Sequence, residues 1–288
     1  MNKNTLLIIL LIPFLFFCNS AKAIKIGLYT NASAIEIAAS KGAMISDLVS
    51  GRDIMVISSM KIYRLTSKNN MLNVKVDGKD YIIRSNSVLI KPASGGYVFS
   101  KKSWYRGEFV LHNTSSGITL INDVDIESYL QGVVPCEMPS GWNSEALKAQ
   151  AIAARSYALA NLGKRGSLGY DLKDNQEDQV YGGASSETQK TNKLVADTKG
   201  QVLIYGNKVI PAYYHASSGG QTLPSSQVWG KDLPFLRPVV AYDFDTPKNG
   251  HGVGMSQHGA NILANHGYNA YQILGYFYQN VKLYTLGY

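Results

Sequence analysis

Residues 144–162, SEALKAQAIAARSYALANL, constrain this chain more than any other stretch. The run has neither Gly nor Pro, Asn143 or Ser144 stands ready to cap it, and Gly163 follows it, so the pattern predicts a helix. Alanine occupies positions 146, 149, 151, 153, 154, 158 and 160. Side chains that small let neighbouring backbone approach closely, so the helix is expected to be buried on several sides. Lys148 and Arg155 lie two turns apart on this otherwise small and apolar surface, and i,i+7 spacing puts them on one face. Two cations there need partners, and two readings stand: an ion-paired or snorkelling pair, or contacts to an anionic substrate.

Just upstream, VVPCEMPSGW (133–142) places Glu137 between Pro135 and Pro139. Proline fixes φ and restricts the residue before it, so Glu137 is expected on a stiff loop. Trp142 follows, offering an apolar wall that raises a carboxyl pKa or a flat face for a sugar ring. A rigid acid beside an aromatic suits a general acid; a capping or surface carboxylate is the plainer alternative. Cys136 is the rival nucleophile, since a lone Cys with several His can signal a thiol peptidase. It precedes the helix by several residues and abuts an acid, whereas a thiolate is favoured at a helix N-terminus or beside a cation.

The rest reads as β-rich first and helical later. IKIGLY, DIMVIS and KIYRL are strand-like, and LNVKV-DGK-DYIIRS is a hairpin turning at Asp77-Gly78. EFVLHN and GITLIN continue as strands, and DIESYLQGV reads as a helical turn before Glu137. After the long helix comes a polar loop from Gly163 to Gly183. Ser186 with Gln189 forms a capping box for a helix ending at Gly200. QVLIY and VIPAYYH make a hairpin around Gly206-Asn207, Ser256 caps a short helix toward His266, and Asn269 caps another reaching Tyr278. The fold class is α+β: a β-rich N-terminal part followed by a mixed α/β core in which the alanine-rich helix lines a groove. The expected domains are 1–23, 24–104 and 105–288.

Residues 1–23 read as a secretory signal: Lys3, an apolar run from Leu6 to Phe17, and the A-x-A site Ala21-Lys22-Ala23. That run is shorter than the roughly 20 residues a membrane helix needs; an uncleaved anchor is the alternative. Cys18 invites a lipoprotein reading, but the bulky Phe16-Phe17 precede it. The product is expected to be secreted, acting in the periplasm or cell wall, with no integral span. Cleavage takes two of the cations behind the net charge of +8, Lys3 and Lys22, and no acids. It also leaves Cys136 as the one cysteine, so no intrachain disulfide can form. A basic surface suits an anionic partner, and the scatter of Lys and Arg without a basic run argues against nucleic acid.

Residues 129–157 closely resemble the hallmark of the SpoIID/LytB family of bacterial cell-wall proteins. YRGEF (105–109) with GITLINDVDIESYLQGVVP (117–135) resembles the family's lead-in to it. AYYHASSGGQT (212–222), VWGKDLPFLRPV (228–239) and GHGVGMSQHGA (250–260) resemble its later blocks in the same order. The resemblance runs over roughly residues 105–278, and the segment 24–104 carries little of it. It implies a lytic transglycosylase that cuts peptidoglycan glycan strands, preferring strands stripped of peptide stems, with Glu137 as acid/base. Lys148 and Arg155 would orient the strand, and Tyr181, His215, Ser217, His251, Ser256 and Gln257 would contact glycan. A non-catalytic wall-binding enhancer of a partner amidase, N-acetylmuramoyl-L-alanine amidase, is the alternative. Some members carry Cys and His in the loop that here reads DLKDNQEDQVY (171–181), a set suited to zinc. Lys173, Glu177 and Asp178 occupy those places here, and Ser217-Ser218 stand in the HASSGG block, so no metal and no cofactor is expected.

Overall fold

The computed structural model describes residues 22–68 and 71–288. Leu6–Phe17, Cys18 and most of the signal-peptide reading lie outside the described residues.

The architecture is α+β. A seven-stranded sheet has the order Leu172–Lys173, Ala23–Ala32, Gly117–Asp125, Glu108–Thr114, Ser87–Pro92, Ala43–Asp47, Asp53–Ile57. Strands from before and after residue 104 thus share one sheet. A six-stranded sheet, built from Ser103–Tyr105, Val98–Ser100, Ala34–Ala39, Tyr63–Lys68, Met71–Val76 and Lys79–Ile83, lies beside it. Alternation explains its strands: in Met71–Val76, Leu72 and Val74 are buried while Met71 and Lys75 face out. The expected hairpin turns at Asp77 and Gly78, both at positive φ (51° and 75°), the backbone a two-residue hairpin loop requires. Asp tolerates that region and Gly enters it freely.

The helices follow. α1 (Ile126–Glu137) is capped by Asp125, whose side chain accepts from the N–H groups of Glu127 and Ser128. The helical turn expected over 125–133 is therefore a full helix, and Glu137 is its last residue rather than part of a loop. Pro135 sits near the helix end, within its last turn. Met138, at φ −128° and ψ 139°, turns the chain extended ahead of Pro139. α2 (Ser144–Ala160) is capped by Asn143. α3 (Gln189–Asp197) takes its cap from Thr188 and not from the expected Ser186, which lies in a 3₁₀ turn. α4 (Ser225–Trp229) is a single turn. α5 (Gln257–Asn265) and α6 (Ala270–Phe277) have the expected caps Ser256 and Asn269, the latter in a capping box with Gln272.

α2 is the axis of the helical half. Ala146, Ala149, Ala151, Ala153, Ala154 and Ala158 are all fully buried, with α1, α3, α5, α6 and the strand Gln201–Tyr205 packed around them. Arg155 is buried with them, 0% exposed. Its Nε and Nη2 bind both oxygens of Glu127 (2.9 and 2.7 Å), and it donates further to the carbonyls of Gln201 and Val195 (3.1 and 3.3 Å). Glu127 also accepts from the N–H of Gly200 and the hydroxyl of Tyr288.

Removing one partner of a buried, fully bonded pair strands the other, at a cost of about 3–5 kcal/mol. Arg155→Met is expected to lower stability by that order in chemical denaturation, and adding Glu127→Met should recover much of the loss. A wild-type unfolding midpoint in Arg155→Met would show that the pair contributes nothing.

Candidate functional site

A cavity of about 690 Å³ opens where the end of α1 meets α2, the 171–181 loop and the two glycine-rich segments. Glu137 lines it. Its carboxyl can be reached from the cavity yet is ringed by protein. Oε1 accepts from the N–H of Val180 at 2.8 Å and Oε2 from Nε2 of Gln257 at 3.3 Å, and the Tyr214 side chain lines the same cavity. Burial pushes the Glu137 pKa up, and the neighbouring donors, chiefly the Val180 N–H and the Gln257 amide, pull against it without cancelling it. The acid therefore holds its proton to higher pH than an ordinary Glu.

Local pairing brings these groups together. Tyr214–His215 runs parallel to Met255–Ser256, with Tyr214 beside Met255 and His215 beside Ser256. Gln257, the next residue, opens α5 facing Glu137. Gly254 permits the approach: at φ 74°, a Cβ there would lie 2.1 Å from the Tyr213 carbonyl oxygen. Gly132 serves α1 in the same way, because a Cβ would sit 2.6 Å from the Tyr181 ring.

Two other carboxylates line the cavity, and both are occupied. Asp178, with no exposed side-chain surface, accepts from Lys164 (2.7 Å), Arg165, the N–H of Lys173 (2.8 Å) and the hydroxyl of Tyr157 (3.1 Å). Glu177 pairs with Lys173 at 2.6 Å. Among the cavity carboxylates only Glu137 has no cation against it.

His215 and His251 face the cavity with rings 5.5 Å apart. The Val253 carbonyl fixes Nδ1 of His215 as a donor (3.2 Å), so its Nε2 accepts from the Ser218 hydroxyl (2.9 Å). His251 accepts the N–H of Val253 on Nδ1 at 3.0 Å. Burial depresses both to about 4, helped at His215 by its neighbour His251. The Ser218–His215 pair is no nucleophile system: Ser218 is buried, and a carbonyl rather than a carboxylate orients the imidazole. Trp229 forms the outer wall, its ring 4.4 Å from that of Tyr213 and 5.2 Å from His251.

Several sequence expectations place differently. Arg155 does not reach the cavity, because Glu127 holds it inside the helical core. Lys148 pairs with Glu145 at 2.8 Å, and the other Glu145 oxygen accepts from the first N–H of α6; of α2, Tyr157 lines the cavity. Tyr181 is a core residue, hydrogen bonded to Asn122 (2.8 Å) and packed on Tyr129 and Tyr105. Ser217 donates to the Pro247 carbonyl (2.6 Å). Ser256 caps α5 and donates to Asp243 (2.6 Å). Trp142 meets the His258 ring edge to face, with centroids 4.9 Å apart, instead of walling Glu137. Cys136 is half-buried at the cavity edge, its sulfur under Gly182. Tyr214, Gln179, Tyr213 and Trp229 were not singled out from sequence, although AYYH and VWG lie in the quoted blocks.

Residues 114–205 match a family model described as stage II sporulation protein, SpoIID. The chain carries a SpoIID-family domain. It is 41% identical over 128 residues to an amidase enhancer of Bacillus subtilis (strain 168), covering 44% of this chain and 17% of that protein. To the stage II sporulation protein D of the same organism it is 34% identical over 144 residues, 44% of this chain and 42% of that one. An uncharacterized protein of Brachyspira hyodysenteriae is 35% identical over 136 residues, 47% of this chain and 37% of that protein. The chain thus spans less than half the length of these curated relatives. No helix among the described residues is long and apolar enough to cross a membrane.

The two imidazoles make stability depend on pH. A histidine titrating at 6.5 when unfolded and about 4 when folded binds more protons in the unfolded chain between those values. Stability is then fully present above about pH 6.5 and falls as pH drops toward 4, by on the order of 3 kcal/mol for each imidazole so shifted. His215→Asn is expected to flatten that slope in denaturation curves at pH 7 and pH 4.5. An unchanged slope would mean that His215 titrates alike in the folded and unfolded chain.

Proposed function

We propose that this is a secreted, extracytoplasmic protein that cleaves peptidoglycan glycan strands as a lytic transglycosylase, through residues 105–288. The observation that carries the reading is the state of Glu137: a cavity carboxyl with no cation beside it, its pKa raised by burial, and the Val180 N–H and Gln257 amide donating to it. A general acid needs such a proton reservoir facing the substrate. Glu137 would protonate the glycosidic oxygen as the C1–O bond breaks. The muramic acid 6-hydroxyl would then close on C1 while its proton returns to Glu137, leaving a 1,6-anhydro end and the acid restored. Glu177 and Asp178 are engaged with cations, which favours this one-carboxylate route over the paired-carboxylate hydrolytic scheme. His215, His251 and Gln257 would supply neutral hydrogen bonds to hydroxyls, and Trp229 over Tyr213 a face for a sugar ring.

The second reading, a wall-binding enhancer of an amidase, is favoured by the 41% identical relative, an amidase enhancer. One experiment separates them. Purified protein is incubated with intact and with peptide-free glycan strands, and the products are weighed by mass spectrometry. Anhydro-ended fragments are expected, with Glu137→Gln slowing their release about 10²–10⁴-fold while binding persists. Intact strands, together with faster amidase cleavage when an amidase is added, would replace the first reading with the second. A Glu137→Gln variant as fast as wild type would remove Glu137 from the chemistry, and loss of activity in Cys136→Ser would revive the thiol.

A further inference from the structure

The outer face of the six-stranded sheet carries a second hollow, of about 340 Å³, apart from the Glu137 cavity. Its floor is the strand Ala34–Ala39. Ile35 and Ile37 are buried on the core side, so Ala34, Glu36 and Ala38 look the other way. Alanine is a poor strand former, and two of them on one face leave a trough between bulkier neighbours. On one side Phe99 stands opposite Ala38 and beside its cross-strand partner Trp104, the two rings 5.1 Å apart. On the other, Arg64 stands opposite Glu36 in the strand Tyr63–Lys68.

The rim is the turn Ser100–Lys101–Lys102–Ser103. Ser100 pairs with Ser103, so the loop has two residues, and Lys101 and Lys102 both lie at positive φ (50° and 64°). Such a turn favours Asn-Gly, because a Cβ strains that backbone. This chain carries two lysines there, and strain of that kind concentrates at functional sites. Lys101 has protein partners: it donates to the Leu28 carbonyl at 3.2 Å and pairs with Asp174 at 2.6 Å. Lys102 lines the trough and has no hydrogen-bond partner among the described residues. With Lys101 matched by Asp174 and Arg64 set against Glu36, Lys102 is the surplus charge.

We propose that this trough is a second glycan subsite, taking a muramic acid unit of a peptide-free strand, with the sugar ring on the Phe99 face and the free lactyl carboxylate against Lys102 and Arg64. This rests on the reading of the protein as one that acts on glycan, and it adds a place away from the reacting bond where stripped strands are recognised. A stem peptide converts the lactyl carboxylate to a neutral amide, so that charge exists only where the stem is gone. An aromatic face with one surplus cation suits a sugar bearing one carboxylate. A phosphate polymer, charged at every unit, would meet Glu36 and a single free ammonium. An added peptide strand has no edge to join here, because Ala34–Ala39 lies between Val98–Ser100 and Tyr63–Lys68.

The trough also borders the candidate site. Asp174, the partner of Lys101, is two residues from Gln176, which lines the Glu137 cavity. Two residues of extended chain span at most about 7 Å, so one long strand can occupy both.

The test is binding, measured by calorimetry on the full chain carrying Glu137→Gln, with long peptide-free strands and with a short fragment that fills the cavity alone. Lys102→Gly relieves the strained turn while deleting the charge, so a structural lysine and a binding one give opposite results. The melting temperature should hold or rise, while affinity for long strands falls about fivefold and affinity for the fragment stays. Arg64→Gln should act alike. Converting the lactyl carboxylates to methylamides should weaken the Lys102 protein by the same factor and leave Lys102→Gly indifferent. Long strands bound equally by both proteins, or by neither, overturn the subsite, and so does an equal loss with the fragment. Inorganic polyphosphate held through Lys102 more tightly than the strand would put a phosphate polymer in the trough, and tighter binding of stem-bearing strands would put the peptide there; either overturns the proposal. Cleavage is assayed separately with Glu137 in place. A protein that cuts strands but binds them without help from Lys102 keeps the transglycosylase reading and loses the trough. One that cuts none but shows Lys102-dependent binding loses that reading and keeps the trough.

Discussion

The buried guanidinium of Arg155 is the interaction on which the helical half depends. It reaches from α2 to Glu127 at the start of α1, to the Val195 carbonyl in α3, and to the Gln201 carbonyl at the start of a strand. A charge removed from water needs every donor matched, and these acceptors match it only if all four elements hold their places. Glu127 in turn takes the N–H of Gly200 and the Tyr288 hydroxyl, adding the turn after α3 and the C-terminal end of the described chain. α1 is then a rigid lever. Glu127 is fixed in its first turn, and Glu137 is the last residue ten positions along. The cation that seemed a candidate to touch substrate acts on the site by locating the helix that carries the acid.

That displacement shows what sequence could and could not tell. The alanine pattern of α2 announces a helix buried on several sides, and the caps at Asn143, Ser256 and Asn269 were legible because a side chain beside its own helix is a local matter. Arg155 and Lys148 were ambiguous, since spacing says that two cations share a face and nothing about what lies opposite. Glu127 supplies the missing partner for one and Glu145 for the other, and neither pairing leaves a trace beyond a charge in a helix. Ser186 failed as a cap because Thr188, nearer the helix, accepts from Thr191. Tyr181 was mistaken for a stacking surface because tyrosine in a glycine-flanked loop suits a sugar as well as a core; Gly132 resolves it by opening room for the ring on α1. Glu137 stands out in the sequence through its prolines and the blocks around it, yet its surroundings, Val180, Tyr214 and Gln257, come from three separate segments.

Inside the cavity the electrostatics share one pattern. Every group with a charge to give is either paired or neutral. Asp178 is saturated by two cations, a hydroxyl and a peptide N–H; Glu177 has Lys173; both imidazoles are uncharged at neutral pH. The raised acid therefore sits in a field with little net sign, where its proton is retained by desolvation rather than by a nearby anion. Such an acid is sensitive to the direction of its hydrogen bonds, because no larger Coulomb effect masks them. A neutral, donor-rich cavity also suits a ligand presenting many hydroxyls better than one presenting a concentrated charge.

The strands before residue 105 take part in this arrangement although they carry little family signal. The strand Ala23–Ala32 pairs in parallel with Leu172–Lys173, Ile26 beside Leu172 and Gly27 beside Lys173. Lys25 and Asp171 exchange two further hydrogen bonds, each 2.8 Å. Lys101 reaches Asp174 at 2.6 Å, and the N–H of Trp104 donates to Ser185 at 2.9 Å. The loop that supplies Asp178, Gln179 and Val180 is thus pinned at both ends by the β-rich part, and without those anchors a polar stretch of its length would be free to move. The N–H of Val180 holds Glu137 only because the loop stays put. Lys101 apart, the N-terminal segment therefore acts on the loop through its own backbone groups, which leave no side-chain signature for a motif to carry.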